Sequence, residues 1–283
     1  MGQKCGKILV FGTIRPIITI AHKTGNNRLT FGHAFVWAEA NAMSTILILG
    51  SGPNVVQARD WPRDPFDHIL AINNAFAVRP DWDSMIHPED FPDARQPMVL
   101  TNDQHFVRAE AYVPAQNQYG GFVYAGGTMA FTAGYWALHA HQPQVLAFMG
   151  CDLTYDGAQT HFYGTGSADP LRPDVTLQSL EAKSARLMIC AAEQGCAVVN
   201  LSKDDSRLVF ARAAPDMLAE VKPASYDLAR AKRAREMEVS LGYFVPSGRY
   251  WLEEDRFDAG KLQEIDALWL EAALAPTRSS GDT

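Results

Sequence analysis

An α/β fold, Rossmann-like and doubly wound around a mainly parallel sheet with a C-terminal helical extension, is what this sequence predicts. From residue 46 onward, short apolar runs alternate with helical stretches. The runs show little polar alternation, as expected of strands covered on both faces. A glycine-rich turn follows the first of them, at the end of a strand where such sheets bind ligands.

Residues 1–42 read differently from the rest. The apolar stretch Ile8–Ile20 is interrupted by Gly12, Arg15 and Pro16, and His22–Arg28 is polar with no period. Met43-Ser44-Thr45 then leads straight into Ile46-Leu47-Ile48-Leu49-Gly50, which has the look of a natural start. The first 42 residues are therefore expected to be an extension, non-native or mis-assigned, with an ordinary extra strand and arm as the alternative. Strands are expected at Ile46–Leu49, Ile69–Ile72, Met85–His87, Met98–Thr101, Val145–Met149 and Ala197–Leu201. Helices are expected at Thr128–His139 and Leu177–Gln194, the second closing on Gly195. These elements make residues 43–215 the core domain and 216–283 a helical region. In the latter, Tyr226–Leu241 carries a basic face (Arg230, Lys232, Arg233, Arg235) and Lys261–Leu274 is acidic and amphipathic. Both are expected to pack on the core, with acceptor docking or contact with an anionic membrane surface as the minority reading. The tail Ala275–Thr283 is expected to be disordered.

A chain of 283 residues suits one large core. Its 47% hydrophobic and 20% charged residues are ordinary for a globular protein. A net charge of -7 argues against a general nucleic-acid binder, which needs a basic face. Cys5, Cys151, Cys190 and Cys196 form no CxxC pair and have no matching His/Cys pair, so a zinc site is not expected. Reduced thiols of a cytoplasmic protein are the expectation. No apolar run reaches the ~18 residues of a membrane span. No signal-peptide cleavage pattern is present, and Gly6 stands where N-myristoylation wants Ser or Thr.

The motifs that bear chemistry lie at strand ends. Gly50-Ser51-Gly52-Pro53-Asn54 follows the first core strand. Its glycines permit a tight turn and a close backbone approach to phosphate, and Pro53 suits a first helical turn. Val55 stands where the dinucleotide fingerprint has its third glycine. Asn73 and Asn74 occupy the place where nicotinamide enzymes carry an acidic residue for the ribose, which disfavours a dehydrogenase. Tyr124-Ala125-Gly126-Gly127-Thr128 opens a helix of small residues, a second candidate anion site or a simple close-packing device. Met149-Gly150-Cys151-Asp152 ends another strand, and Asp152 is a candidate orienting group. His161 follows in the hydroxyl-rich run Thr160–Ser167, well sited for general-base work, with Tyr155 and Tyr163 beside it as phosphate donors. Asp81-Trp82-Asp83 imitates a DxD metal motif, but Pro80-Asp81-Trp82 reads as a turn into the next strand.

Taken in order, Gly50-Ser51-Gly52-Pro53, Asn74-Ala75-Phe76, Gly126-Gly127-Thr128, Gly150-Cys151-Asp152 and Thr160-His161-Phe162-Tyr163-Gly164 resemble the bacterial sialyltransferases of family 42. The related Maf-like (motility accessory factor) proteins of flagellin glycosylation share part of the set. Asn200-Leu201-Ser202 and Ser206-Arg207-Leu208 are similar to their late strand and turn, and the resemblance spans about residues 45–210. It implies an inverting transferase using a CMP-sugar, with no essential metal or other cofactor. Gly50, Ser51, Gly52, Pro53, Asn73, Asn74, His87, Gly126, Gly127 and Thr128 would bind the nucleotide. His161 would deprotonate the acceptor, Tyr155 and Tyr163 would stabilise the departing phosphate, and Asp152 would assist. The partners implied are a nucleotide-sugar donor and a glycan or lipid-linked acceptor, with no nucleic acid; peripheral membrane association and a second copy of the chain stay open. Three departures stand out: a shorter segment between Asp152 and His161, His87 in place of the family's Asn, and glycine in place of a helix-start serine. The alternatives are a Mg²⁺-dependent nucleotide pyrophosphokinase, for which Asp152 and Asp156 could serve, and a non-catalytic nucleotide-binding protein.

Overall fold

The computed structural model describes residues 19–23, 29–33, 44–155, 159–164 and 173–274. The chain divides into two compact units, Met1–Ala42 and Met43–Thr283. In the first, β1 (Thr19–Lys23) and β2 (Leu29–His33) pair antiparallel, with Thr19 opposite His33 and Lys23 opposite Leu29. The expectations for Cys5, Asp156, Thr165, Ser167 and the tail 275–283 fall outside the described residues.

The second unit is built on a seven-stranded sheet. Its strands are β3 (Thr45–Leu49), β4 (His68–Ile72), β5 (Ser84–Ile86), β6 (His105–Val107), β7 (Val145–Met149), β8 (Ala197–Asn200) and β9 (Ala211–Arg212). They lie in the order β6-β5-β4-β3-β7-β8-β9, and every neighbouring pair is parallel. The Rossmann-like α/β fold is thus present, and its sheet is parallel throughout. From β3 the chain first builds outward through β4, β5 and β6. It then returns through α1 (Ala109–Asn117), the short α2 (Phe122–Ala125) and α3 (Met129–His141), and sets β7 against the other side of β3. α4 (Leu180–Glu193) connects β7 to β8, and α5 (Leu228–Leu241) and α6 (Ala259–Leu274) follow the sheet.

Alternate residues of each central strand enter opposite cores, because successive side chains point to opposite faces. Ile46 and Ile48 of β3, with Leu146 and Phe148 of β7, join Phe131, Tyr135, Leu138 and Leu187 from α3 and α4. Leu47 and Leu49, with Ala147 and Met149, meet a thinner cover: Val55 and Ala58 of a 3₁₀ segment (Pro53–Asp60), then Ala75, Trp82 and Phe91. One face is covered by α-helices and the other by tight turns. Both faces of β3 are apolar for this reason.

Two expectations are corrected. Met98–Thr101 is not a strand: Met98 is 99% exposed and Val99 83%, and the edge strand is His105–Val107 instead. Pro97 before the run and the Asn102-Asp103 turn after it leave that short apolar stretch outside the ladder. The helix expected from Leu177 begins at Leu180, because the Ser179 hydroxyl caps it by accepting from the Ala182 amide at 3.1 Å. The DxD-like carboxylates are bound by arginines. Asp81 accepts from Arg79 Nε and Nη2 at 2.6 and 2.7 Å, and Asp83 accepts from Arg63 Nη2 at 2.7 Å.

The C-terminal helices dock on α4 through buried charge. Arg186 donates through Nε and Nη2 to both oxygens of Glu238 at 2.8 Å, and through Nη1 to the Tyr135 hydroxyl at 2.9 Å. Trp269 of α6 donates its indole N–H to Glu238 Oε1 at 2.8 Å, and its ring stacks under the guanidinium at 5.4 Å. Lys183 donates to Asp266 Oδ1 at 2.7 Å beside this cluster. Three residues of the basic face of α5 are matched by acids: Arg230 by Asp227 and Glu271, Lys232 by Glu236, and Arg235 by Glu193. Among the described residues no helix is long and apolar enough to cross a membrane. Glu238→Ala leaves the Arg186 guanidinium buried without its carboxylate. It is expected to cost about 3–5 kcal/mol in chemical denaturation, and a loss below 1 kcal/mol would contradict the anchoring role.

A histidine group sits at the opposite, amino-terminal edge of the sheet. Ser84 Oγ lies 2.9 Å from both His68 Nε2 and His105 Nε2, and the His68 and His141 rings are 4.4 Å apart. Burial, then the neighbouring His141, holds the His68 pKa down from 6.5 to about 4. The unfolded chain takes up this proton near 6.5 and the folded chain does not, so stability is complete above that pH and falls between 6.5 and 4. Unfolding free energies from urea titrations are expected to drop from pH 7 to pH 5, by at most about 1.4 kcal/mol per pH unit for this one group. His68→Gln should shrink that drop; an undiminished drop would assign it elsewhere.

Candidate functional site

The site forms where the winding reverses. β3 continues to β4 on one side and meets β7 on the other, so the carboxyl ends of β3 and β7 flank the crevice in which open α/β sheets bind ligands. The two ends are joined tightly. Gly50 N donates to Met149 O and Gly52 N to Gly150 O, each at 2.8 Å. A Cβ on Gly50 would collide with the Gly150 carbonyl and lie 2.5 Å from Cys151 Sγ, and one on Gly52 would lie 2.8 Å from Gly150 O. These glycines are required because two backbones touch. The segment after them is 3₁₀ rather than α-helical, so the expected α-helix N-terminus behind the turn is absent.

Around this contact opens a cleft of about 880 Å³. Eleven of the fourteen sequence-predicted residues line it: Gly50, Ser51, Gly52, Pro53, Asn73, Asn74, Thr128, Asp152, Tyr155, His161 and Tyr163. Three do not. His87 is only 5% exposed, packs against Phe91 and Phe106, and faces a separate hollow, with Nδ1 2.9 Å from Pro88 O. Gly126 ends α2 at φ +91°, where a Cβ would press on Phe131 and Lys183. Gly127 lies under Tyr250 and lines a second cavity. Thr128 caps α3 by accepting from the Ala130 amide at 3.3 Å.

Three cleft-lining residues carry buried, unsatisfied polar atoms. Ser51 Oγ, Asn54 Oδ1 and Asn73 Oδ1 are buried with no hydrogen-bond partner among the described residues. An unmatched buried acceptor is costly, so three around one cleft suit a polar ligand. Asn73 is also held at φ +53°, and Leu153, on the opposite wall, at φ +57°. Asparagine tolerates the left-handed region, whereas leucine there costs about 1–2 kcal/mol. Strain of this kind gathers at binding sites.

Asp152 organises the floor. Its Oδ1 accepts from Asn200 Nδ2 at 2.8 Å and its Oδ2 from Asn54 Nδ2 at 2.7 Å, while its carbonyl accepts from Arg207 N at 2.9 Å. Arg212 lies 3.8 Å from Oδ1. At 7% exposure, with both oxygens held, Asp152 ties the ends of β7 and β8 to the glycine turn. That geometry is one of a positioning group.

The His161 loop closes the side of the cleft. Phe162 N donates to Ser51 O at 3.0 Å, tying the loop to the glycine turn, and His161 and Gly164 exchange two backbone bonds at 3.1 Å. His161 stacks on Tyr163 with ring centres 5.0 Å apart and lies 6.4 Å from the Tyr155 ring. Its Nδ1 is 2.9 Å from Thr160 Oγ1, and partial burial lowers its pKa below 6.5. If Nδ1–H donates to that hydroxyl, Nε2 keeps its lone pair, the form a base needs. Burial also pushes the Cys151 thiol up, so it stays protonated beside the glycine turn.

Sequence reasoning passed over Asn54, Asp90, Arg95, Gln159 and the run Lys203-Asp204-Asp205, all of which line the cleft. The last could have been found from its place: a polar run just past a buried strand, at the carboxyl edge. Arg95 and Lys203 are the cations among the described lining residues. No protein-family model matches the chain, nor does any curated protein or solved structure. Gly50→Ala is expected to lose about 1–3 kcal/mol or more by overpacking, read as a lower urea midpoint; an unchanged midpoint would mean that the two strand ends separate freely.

Proposed function

We propose that the chain is an inverting glycosyltransferase that takes a sialic-acid-like sugar from a CMP-sugar and joins it to a hydroxyl of a glycan or lipid-linked acceptor. One observation carries the reading: His161, Tyr155 and Tyr163 line the same cleft as Ser51 and Asn73, whose Oγ and Oδ1 are buried without a partner among the described residues, at the reversal of the sheet. The cleft's 880 Å³ suits a nucleotide and part of a sugar, within the range of about 300–1,000 Å³ common for ligand sites.

The chemistry then runs as follows. Ser51 and Asn73 hold the nucleotide, and Asn74 adds an amide at the same edge. As the bond from the anomeric carbon to the CMP phosphate breaks, its electron pair leaves on the phosphate. Tyr155 and Tyr163 donate hydrogen bonds to that developing charge, and Arg95 and Lys203 add positive potential. His161 Nε2 takes the proton of the acceptor hydroxyl as its oxygen bonds to the anomeric carbon. Charge stabilisation by phenols and cations would leave the step without an essential metal.

A thermal-shift panel of CMP, CDP, UDP, GDP, ATP and NAD, with and without Mg²⁺, tests the reading. Stabilisation by CMP or a CMP-sugar without metal is expected. Glycine accepts the φ of +53° as readily as asparagine, so Asn73→Gly should keep the fold and lose the CMP shift. Stabilisation by ATP with Mg²⁺ alone would favour the pyrophosphokinase, and no shift with any nucleotide would end the nucleotide reading. Donor turnover should fall about 10²–10⁴-fold in His161→Ala. Because the base must be neutral, kcat/KM should decline on the acid side through a pKa below 6.5. An unchanged acid limb in His161→Ala would remove His161 from the mechanism.

A further inference from the structure

Beside the cleft lies a second cavity of about 470 Å³, also within the size range of ligand sites. Pro88, Asp90 and Met129 line both, so the two spaces meet at a shared wall. Its far wall is the segment Ser247–Glu254, which lies beyond residues 45–210 where the family resemblance ends. The cavity is therefore completed by this chain's C-terminal region.

The walls have a definite chemistry. Tyr112, Phe122, Tyr250 and Trp251 supply aromatic rings, with Phe122 and Tyr250 stacked at 6.3 Å and Tyr250 and Trp251 edge to face at 5.5 Å. The charged lining is acidic: Glu89, Asp90, Asp174 and Glu254 against Arg249 alone. Arg249 is paired with Glu89 at 3.3 Å, and Asp174 accepts from the Tyr250 hydroxyl at 2.6 Å. Tyr250 packs directly on Gly127, since a Cβ there would overlap its hydroxyl and lie 2.7 Å from Cζ. Burial and then the charges of Glu89 and Asp90 push Tyr112 up to about 12, so its phenol remains a donor.

We infer that this second cavity is the acceptor subsite, taking a sugar ring that lays an apolar face on the aromatics and offers hydroxyl or ammonium donors to Asp90 and Glu254. An anionic ring is excluded by the acidic lining, which also steers the nucleotide to the larger cleft. Asp90, on the shared wall, is the charged group within reach of both ligands. The term acceptor rests on the transferase reading; the ring-binding site does not.

The test uses the full chain and three matched probes: methyl glucoside, its free 2-amino counterpart and methyl glucuronide. Binding is followed by saturation-transfer NMR and tryptophan fluorescence, with and without saturating CMP. The neutral and amino sugars are expected to bind, the amino sugar more tightly, and the glucuronide to bind at least about tenfold more weakly. Trp251 is 53% exposed, so Trp251→Ala should fold normally. It should weaken sugar binding about tenfold, the value of one good aromatic contact, while Trp251→Phe restores most of it. The CMP thermal shift should be the same in all three proteins. Equal or tighter binding of the glucuronide, no binding of any probe, or binding indifferent to Trp251→Ala would overturn the subsite. Trp251-dependent sugar binding in a protein that ignores CMP would keep the cavity and discard the transferase reading.

Discussion

The contact between the carboxyl ends of β3 and β7 is the constraint on which the rest of the site depends. Gly50 and Gly52 lie against the Gly150 carbonyl, and Gly150 in turn lies against Val55. Three missing side chains let two parallel strands keep their spacing while both chains turn away from the sheet. Without that approach, Ser51 could not bond Phe162, and the His161 loop would lose its tie to the glycine turn. The glycines that read as phosphate binders thus act first as packing residues. They make a ligand crevice by holding its two lips together.

Around this contact the polar groups divide into two sets. One set is satisfied: Asp152, Asn200, Ser202 and Arg212 lock β7, β8 and the glycine turn into one floor. The other is not: Ser51, Asn54 and Asn73 each keep a buried acceptor without a partner among the described residues. Rigid support beneath and unmatched atoms above are the arrangement of a preorganised site, because a ligand then gains hydrogen bonds without first breaking any. Asn73, held at φ +53°, belongs to the second set.

The C-terminal helices connect to the same design. Arg186 and Glu238 bind α4 to α5 and α6, and the chain between those helices carries Arg249, Tyr250 and Trp251 to the edge of the cleft. Buried charge is a costly fastener unless every donor is matched. Here Tyr135, Tyr119 O and Trp269 complete the set. A helical appendage becomes one wall of a second cavity.

The sequence by itself determined the five inner strands, because strands buried on both faces must be apolar throughout, and Ile46–Leu49 and Val145–Met149 are so in any context. It also determined most of the cleft lining, since strand ends in such sheets converge and the polar motifs at Gly50, Asn73, Asp152 and His161 all follow strands. It misread Met98–Thr101, where apolar residues stand exposed, and overlooked His105–Val107, whose three residues carry no period. Only the tertiary structure decided that His87 turns into another hollow, that Asp152 is tied down on both oxygens and that Tyr250 reaches Gly127. Those outcomes depend on contacts between residues scores of positions apart, such as Asn54 with Asp152 and Asp174 with Tyr250. Local pattern records which residues are buried and which turn; it does not record which distant partner each will meet.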